Sequence, residues 1–268
     1  MEYIKAKNQL KQIYINFQNS NFYEIDYIFC EILKKPKTEL LFCGVDKKSL
    51  KKAIRIVNIH LKTKKPLQKI LKKAYFYGLE FYVNNNVLTP RFDSEILVEN
   101  ALKFDFSSCL DLCCGSGCLG LSIKHFKPNV DVCFADISLK ALRVCKKNAK
   151  HLNIKAKFIK SDMFSKINQK FDLIVCNPPY IETEIVKTLD EEVKNFDPIL
   201  SLDGGEDGLK FYRILQNNLD KFLTKNGKCL IEIGYNQAGL INFFKQKFEK
   251  VSLIKDYNNN DRVILIEK

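Results

Sequence analysis

Apolar side chains in the first 75 residues recur every three or four positions, which is the spacing of an amphipathic helix. Asn21 is the predicted N-cap of the second helical run, because Glu24 follows it at the third helical position. Helices are predicted over residues 10–17, 22–33 and 38–43. A fourth is predicted after Asp46, which is its expected N-cap, and a fifth from Pro66 onward. We therefore predict a small all-α helical bundle with its own core over residues 1–75.

At Gly78 the helical spacing gives way to short strand-like runs. Residues 79–83 and 87–89, separated by three asparagines, predict a β-hairpin linker over residues 76–92. In residues 93–268, strand-like runs alternate with helical segments, with strands predicted at 108–113, 131–136, 157–160, 171–176, 228–233, 251–255 and 262–267. This alternation predicts an α/β, Rossmann-like, doubly wound sheet of seven strands. The short link before the last strand predicts that this strand is antiparallel.

The composition, 46% hydrophobic and 28% charged over 268 residues, is typical of a globular protein. There is no apolar run of about 18 residues and no export signal at the start, so we expect no membrane span and a cytoplasmic protein. The ten cysteines lie mostly in apolar runs and are expected to be buried free thiols. They form no CxxC pair, and we expect no metal site.

The formal net charge is +13, which raises the question of a nucleic-acid partner. Only five of the 44 basic residues are arginine, and arginine is the usual reader of base edges. We therefore interpret the charge mainly as solvated lysines and expect no specific nucleic-acid partner.

A glycine pattern follows the first predicted strand of the sheet. Gly115, Gly117 and Gly120 form G-x-G-x-x-G between a strand and a helix, a turn that lets backbone N–H groups approach a ligand. Asp136 ends the next strand, nineteen residues after Gly117, where a carboxylate accepts hydrogen bonds from a ribose. These residues predict an adenosine-type cofactor and leave open whether it is a dinucleotide or S-adenosylmethionine.

The run 171–176 leads directly into Asn177, Pro178, Pro179 and Tyr180. Prolines cannot continue a central strand, so the chain must turn out at the carboxyl edge of the sheet. There the Asn177 side-chain carbonyl and the Pro178 backbone carbonyl can accept both hydrogens of a planar NH2 group and aim its nitrogen at an electrophile. Tyr180 supplies an aromatic face. Such a nucleophile beside an adenosine pocket suits the sulfonium methyl of S-adenosylmethionine, so we predict an amino-group methyltransferase that acts by positioning.

These residues resemble the HemK/PrmC family of protein-glutamine methyltransferases, which modify peptide chain release factors. The resemblance spans nearly the whole chain, although the N-terminal bundle matches weakly. It includes the segments 66–68 and 87–95, the glycine loop, Asp136, residues 177–180, residues 203–209 and residues 232–234. Cys113 and Cys114 stand where this family usually has Gly and Thr.

The resemblance implies a class I methyltransferase domain over residues 93–268 that binds S-adenosylmethionine and releases S-adenosylhomocysteine. It implies that the N-terminal bundle helps to hold the release factor, whose Gly-Gly-Gln glutamine accepts the methyl group on N5. It implies that the methionine part of the cofactor contacts Cys113, Cys114, Gly115, Ser116 and Gly117. Asp136 would contact its ribose and Met163 its adenine. Asn177 would contact cofactor and acceptor, and Pro178, Pro179 and Tyr180 the acceptor. Arg91 is a candidate substrate contact or, equally, a salt bridge, and we expect a monomer.

Two other functions fit part of the pattern. DNA adenine methyltransferases share the Asn-Pro-Pro-Tyr motif, so N6-adenine methylation of DNA or RNA is the main alternative. Such enzymes flip a base and usually need a recognition domain. Fewer than 90 residues follow Tyr180, and the first 75 residues contain a single arginine, Arg55, which disfavours this alternative. A non-catalytic adenosine-binding module is disfavoured by the intact motif.

Overall fold

The computed structural model describes residues 1–268, which divide into two compact units, Met1–Lys72 and Lys73–Lys268. The first unit is all-α, which confirms the predicted helical bundle. It consists of α1 (Tyr3–Asn16), α2 (Tyr23–Leu33), a 3-10 helix (Lys37–Phe42), α3 (Lys47–Thr63) and α4 (Leu67–Leu71). Residues at helical spacing, among them Leu10, Tyr14, Phe29 and Val57, form its core.

The two predicted helix caps of this unit have different outcomes. Asp46 caps α3, since its Oδ1 accepts a hydrogen bond from the Ser49 N–H at 2.8 Å. The predicted Asn21 cap is wrong: α2 begins after Phe22 without a side-chain cap. Glu24 instead accepts a hydrogen bond from the Tyr14 hydroxyl of α1 at 2.9 Å, so a contact between helices replaces the local cap.

The second unit contains the predicted seven-stranded sheet. Its strands are β3 (Ser108–Leu112), β4 (Asp131–Asp136), β5 (Lys157–Lys160), β6 (Phe171–Cys176), β7 (Leu223–Glu232), β8 (Lys250–Lys255) and β9 (Asp261–Glu267). The spatial order is β5-β4-β3-β6-β7-β9-β8, and β9 is antiparallel to both of its neighbours, as predicted. On one side the strands run outward as β3, β4 and β5, and on the other as β6, β7, β9 and β8, with the last strand of the chain inserted between β7 and β8. The switch point between β3 and β6 is where sheets of this kind bind ligands.

Helices cover both faces of the sheet. On one face, α5 (Glu95–Leu102), α6 (Cys118–Phe126) and α7 (Leu139–His151) share a core with Cys109, Leu173 and Val175. On the other, α10 (Lys210–Phe222) and α11 (Leu240–Lys245) share a core with Leu110, Ile174 and Cys176. Alternate residues of each strand therefore enter opposite cores, as the two-residue period of a strand requires. Two short helices, α8 (Thr183–Val186) and α9 (Glu191–Phe196), follow β6.

The hairpin lies earlier in the chain than predicted. Strands β1 (Ala74–Phe76) and β2 (Leu79–Phe81) pair through the two-residue turn Tyr77–Gly78, in which both residues have positive φ. The predicted strand over 87–89 does not form. Directly after β2, the Tyr82 backbone bonds to the Asn148 side chain of α7 and not to a second strand: Asn148 accepts from its N–H at 2.7 Å and donates to its carbonyl at 3.0 Å.

All ten cysteines are free; six of them are buried, as expected, whereas Cys30, Cys43, Cys113 and Cys118 are partly exposed. None of the helices combines the length and the apolar character needed to cross a bilayer.

Candidate active site

A cavity of about 240 Å³ lies in the second unit, at the carboxyl edge of the sheet where β3, β4 and β6 end. The glycine loop after β3 and Asn177 after β6 both line it, because parallel neighbouring strands deliver their following loops to the same edge. The sequence-predicted residues on its wall are Arg91, Cys113, Cys114, Gly115, Ser116, Asp136, Met163, Asn177 and Pro179.

Three predicted site residues lie behind this wall. Gly117 has a φ of +80°, and a Cβ there would lie 2.4 Å from the Cys145 Sγ, so this glycine permits the close packing of the loop on α7. Pro178 is buried. Tyr180 packs against the core beneath α10 and places its hydroxyl 3.5 Å from the Glu232 Oε1.

Asp136, at the end of β4, is held by two backbone donors. Its Oδ2 accepts from the Gly115 N–H at 2.9 Å, and its Oδ1 accepts from the Ser138 N–H at 2.8 Å. Burial raises the pKa of this carboxyl, while the two backbone N–H groups act in the opposite direction. A carboxylate has about four acceptor positions, so each oxygen keeps a lone pair for a ligand hydroxyl.

The glycine loop contains one left-handed residue that is not glycine. Cys113 has a φ of +61°, in the same region as Gly115 at +53°. Its thiol lies 3.7 Å from the Met163 Sδ, and both side chains line the cavity. The loop therefore adopts a left-handed conformation at Cys113 even though this residue carries a side chain. The family that the sequence resembles usually has glycine at this position.

Asp111, in the middle of β3, is a buried residue that the sequence analysis missed. Its Oδ2 accepts from the Gly120 N–H at 2.9 Å, while its Oδ1 has no hydrogen-bond partner. Burial, with a smaller contribution from the charge of Asp136, raises its pKa to about 7. Its signal in the sequence is a single carboxylate between apolar residues, directly before the glycine loop.

Asn177 contacts a second residue that the sequence analysis missed. Its Nδ2 donates to the hydroxyl of Ser94, at the start of α5, at a distance of 3.4 Å. The other end of the Asn177 amide, Oδ1, therefore faces away from Ser94.

Glu232 lies at the carboxyl end of β7, which is an interior strand of the sheet. The side chain is only 2% exposed, and its Oε2 has no hydrogen-bond partner. Burial raises the pKa of Glu232, while the neighbouring Ser94 hydroxyl and the charges of Arg262 and Arg91 oppose that rise.

The acidic, glycine-rich loop at 203–209 supports the turn after Asn177. Gly204 donates its N–H to the Ile181 carbonyl at 2.7 Å, and a Cβ on Gly204 would lie 2.8 Å from the Tyr180 Cα. The Tyr180 carbonyl also accepts from the Gln237 Nε2 at 3.1 Å. This loop is therefore a packed support for the Asn-Pro-Pro-Tyr turn rather than a solvated turn.

Residues 90–204 match the family model described as methyltransferase small domain. The chain is 36% identical to the release factor glutamine methyltransferase of Clostridium acetobutylicum, over 98% of this chain and 95% of that protein. It is 34% identical to the protein of the same name from Thermodesulfovibrio yellowstonii, over 99% of both chains. The chain belongs to the release factor glutamine methyltransferase family.

Membership of this family agrees with the resemblance inferred from the motifs and makes the chain a methyltransferase. Among solved structures, a methyltransferase from Pyrococcus furiosus superposes with a TM-score of 0.56 at 17% identity, covering 75% of this chain and 93% of that one. That likeness concerns the fold alone.

Proposed function

We propose that this protein transfers a methyl group from S-adenosylmethionine to N5 of the glutamine in the Gly-Gly-Gln motif of peptide chain release factors. The observation that carries the proposal is the placement of Asn177 on the wall of the same cavity as Asp136 and the glycine loop. The names of the relatives that match almost the whole chain support the choice of acceptor.

The cavity residues suit this cofactor by their chemistry. Asp136 keeps acceptor positions for ribose hydroxyls, and Met163 offers an apolar contact for the adenine. Cys113, Gly115 and Ser116 line the part assigned to the methionine end. When bound, S-adenosylmethionine supplies an electrophilic methyl group on a sulfonium leaving group.

The protein acts on the acceptor glutamine by holding its amide nitrogen in the orientation needed for methyl transfer. The Asn177 Oδ1 and the Pro178 carbonyl accept the two hydrogens of the planar glutamine amide, whose side chain would otherwise rotate freely about its carbon–carbon bonds. Orienting a weak nucleophile in this way removes much of the entropic part of the barrier. Because the methylated nitrogen loses its proton readily afterwards, the reaction requires no strong general base.

Several finer assignments belong to the same proposal. We assign the helical unit, residues 1–72, to holding the release factor. In support of this assignment, its apolar side chains Leu41 and Phe42 expose 63% and 89% of their surface. We place the reaction in the cytoplasm, where release factors act, and assign it to a monomer. The sulfonium provides its own leaving group, so the proposed reaction uses no metal ion.

The proposal is tested by methyl transfer from labelled S-adenosylmethionine. Purified release factor with Gln at the Gly-Gly-Gln tip is compared with factor carrying Ala there, and DNA and RNA are offered in parallel. We expect label in the Gln form alone. Label in DNA or RNA with none in the factor would overturn the proposal in favour of adenine methylation.

A further inference from the structure

The two ends of the Asn177 amide are chemically different, and only one of them suits the proposed reaction. The carbonyl oxygen accepts a hydrogen bond from the acceptor NH2, whereas the amide nitrogen would repel it by presenting a donor. An asparagine side chain can rotate by half a turn about its last bond, which exchanges the two ends. A competent site must therefore suppress the reversed orientation.

Ser94 contacts the nitrogen end of this amide. The Asn177 Nδ2 donates to the Ser94 Oγ at 3.4 Å, and Ser94 is only 4% exposed. Ser94 also stands at the N-cap of α5, where a serine hydroxyl usually accepts from the helix backbone. Here it makes no capping hydrogen bond, so its hydroxyl is available to Asn177.

A hydroxyl that accepts from Asn177 still has its own proton to donate. Glu232 neighbours Ser94, and its Oε2 is buried without a hydrogen-bond partner. Its other oxygen, Oε1, lies 3.5 Å from the Tyr180 hydroxyl. An ionised carboxylate can only accept hydrogen bonds, so a proton placed between Ser94 and Glu232 must come from Ser94.

We propose that Ser94 and Glu232 are positioning residues that hold the Asn177 amide with its oxygen toward the acceptor. In the proposed arrangement the Ser94 hydroxyl turns its proton toward the Glu232 carboxylate, so that only its oxygen lone pairs face Asn177. The Asn177 NH2 is then the end of the amide that can bond to Ser94. With Glu232 in its carboxylate form, the direction of these hydrogen bonds is set at the buried end, because a carboxylate has no proton to donate. This inference rests on the proposed function and assigns it two further residues.

Charged side chains around Glu232 oppose the rise that burial causes in its pKa. Arg262 and Arg91 lie close enough for their charges to favour the carboxylate, and Asp93 opposes them. Arg262 is itself buried and fixed, with its Nε donating to the Asp256 Oδ2 at 3.1 Å. Removing the Ser94 hydroxyl would leave this charge in place and remove only its link to Asn177.

The test compares kcat, the KM for release factor, the calorimetric Kd for S-adenosylmethionine and the melting temperature among variants. We expect Ser94→Ala to lower kcat at least tenfold and to change the cofactor Kd by less than threefold. Ser94→Thr, which keeps a hydroxyl, should retain kcat within threefold of the unchanged protein. Glu232→Gln should lower kcat at least fivefold, because an amide can face Ser94 with either end. Ser122→Ala is the matched control, since Ser122 is a fully buried serine whose hydroxyl has no partner, and its kcat should change by less than twofold.

The outcomes separate this inference from the proposed function. If the unchanged protein labels the release factor while Ser94→Ala and Glu232→Gln keep kcat within twofold, the inference is wrong and the proposed function stands. An equal loss of kcat in Ser94→Thr and Ser94→Ala also overturns it, because the hydroxyl is then not the group that matters. Failure of the unchanged protein to label the factor overturns both.

Discussion

The buried carboxyl of Asp111 should make the stability of the second unit depend on pH. Its pKa is raised from 3.8 to about 7 in the folded protein, chiefly by burial. A folded protein that binds a proton more tightly than the unfolded chain loses stability as pH rises between the two pKa values. The free energy of unfolding should therefore fall from about pH 4 to about pH 7 on account of this residue.

The size of the effect follows from the difference between the two pKa values. Three units correspond to about 4 kcal/mol over the full range, at about 1.4 kcal/mol per unit. The part that falls between pH 5 and pH 8 is about 2.5 kcal/mol. Asp111→Asn removes the titration, so its free energy of unfolding relative to that of the unchanged protein should rise by this amount over that interval.

The assay is urea unfolding followed by circular dichroism at pH 5, 6, 7 and 8. All other titrating groups are common to the two proteins and cancel in the difference. Asp172→Asn is the control, because hydrogen bonds from Ser107, Ser108 and Thr224 lower the pKa of Asp172 to about 2, below the interval. Its difference from the unchanged protein should be constant from pH 5 to pH 8. A constant difference for Asp111→Asn as well would refute the argument that Asp111 is protonated in the folded protein.

Three further predictions concern the cavity and its supports. Asn177→Ala should abolish turnover while the calorimetric affinity for S-adenosylmethionine falls only modestly, and a near-normal rate would count against the role of its carbonyl. Asp136→Ala should weaken cofactor binding by about 1.5–3 kcal/mol, since a ribose would lose a charged acceptor, and unchanged affinity would exclude that assignment. Gly204→Ala should lower both kcat and the melting temperature, because its Cβ would lie 2.8 Å from the Tyr180 Cα, and a normal kcat would show that the turn tolerates displacement.

Local patterns in the sequence were sufficient to predict the seven strands of the sheet and the edge of the sheet at which the candidate site lies. Strand–helix alternation predicted seven strands with the last one antiparallel, because the period of apolar residues and the length of each connection are local properties. The glycines after β3 and the prolines after β6 likewise indicated that both loops leave the sheet at its carboxyl edge. The hairpin was predicted at the wrong place. An Asn-rich segment and a two-residue turn are both typical hairpin connections in a sequence, and only the hydrogen-bond partners of the backbone show which of them joins two strands.

Only the tertiary structure decided which side chains support the site. Ser94 and Asn177 are 83 positions apart, and Tyr180 and Glu232 are 52 apart, so no periodicity links them. The sequence shows Asp111 only as a carboxylate between apolar residues, and its raised pKa exists because packing in the folded protein removes water from it. The sequence determined which groups could do the chemistry through short motifs. Their orientation and protonation depend on burial and on neighbours distant in the chain, and these arise only when the sheet and helices assemble.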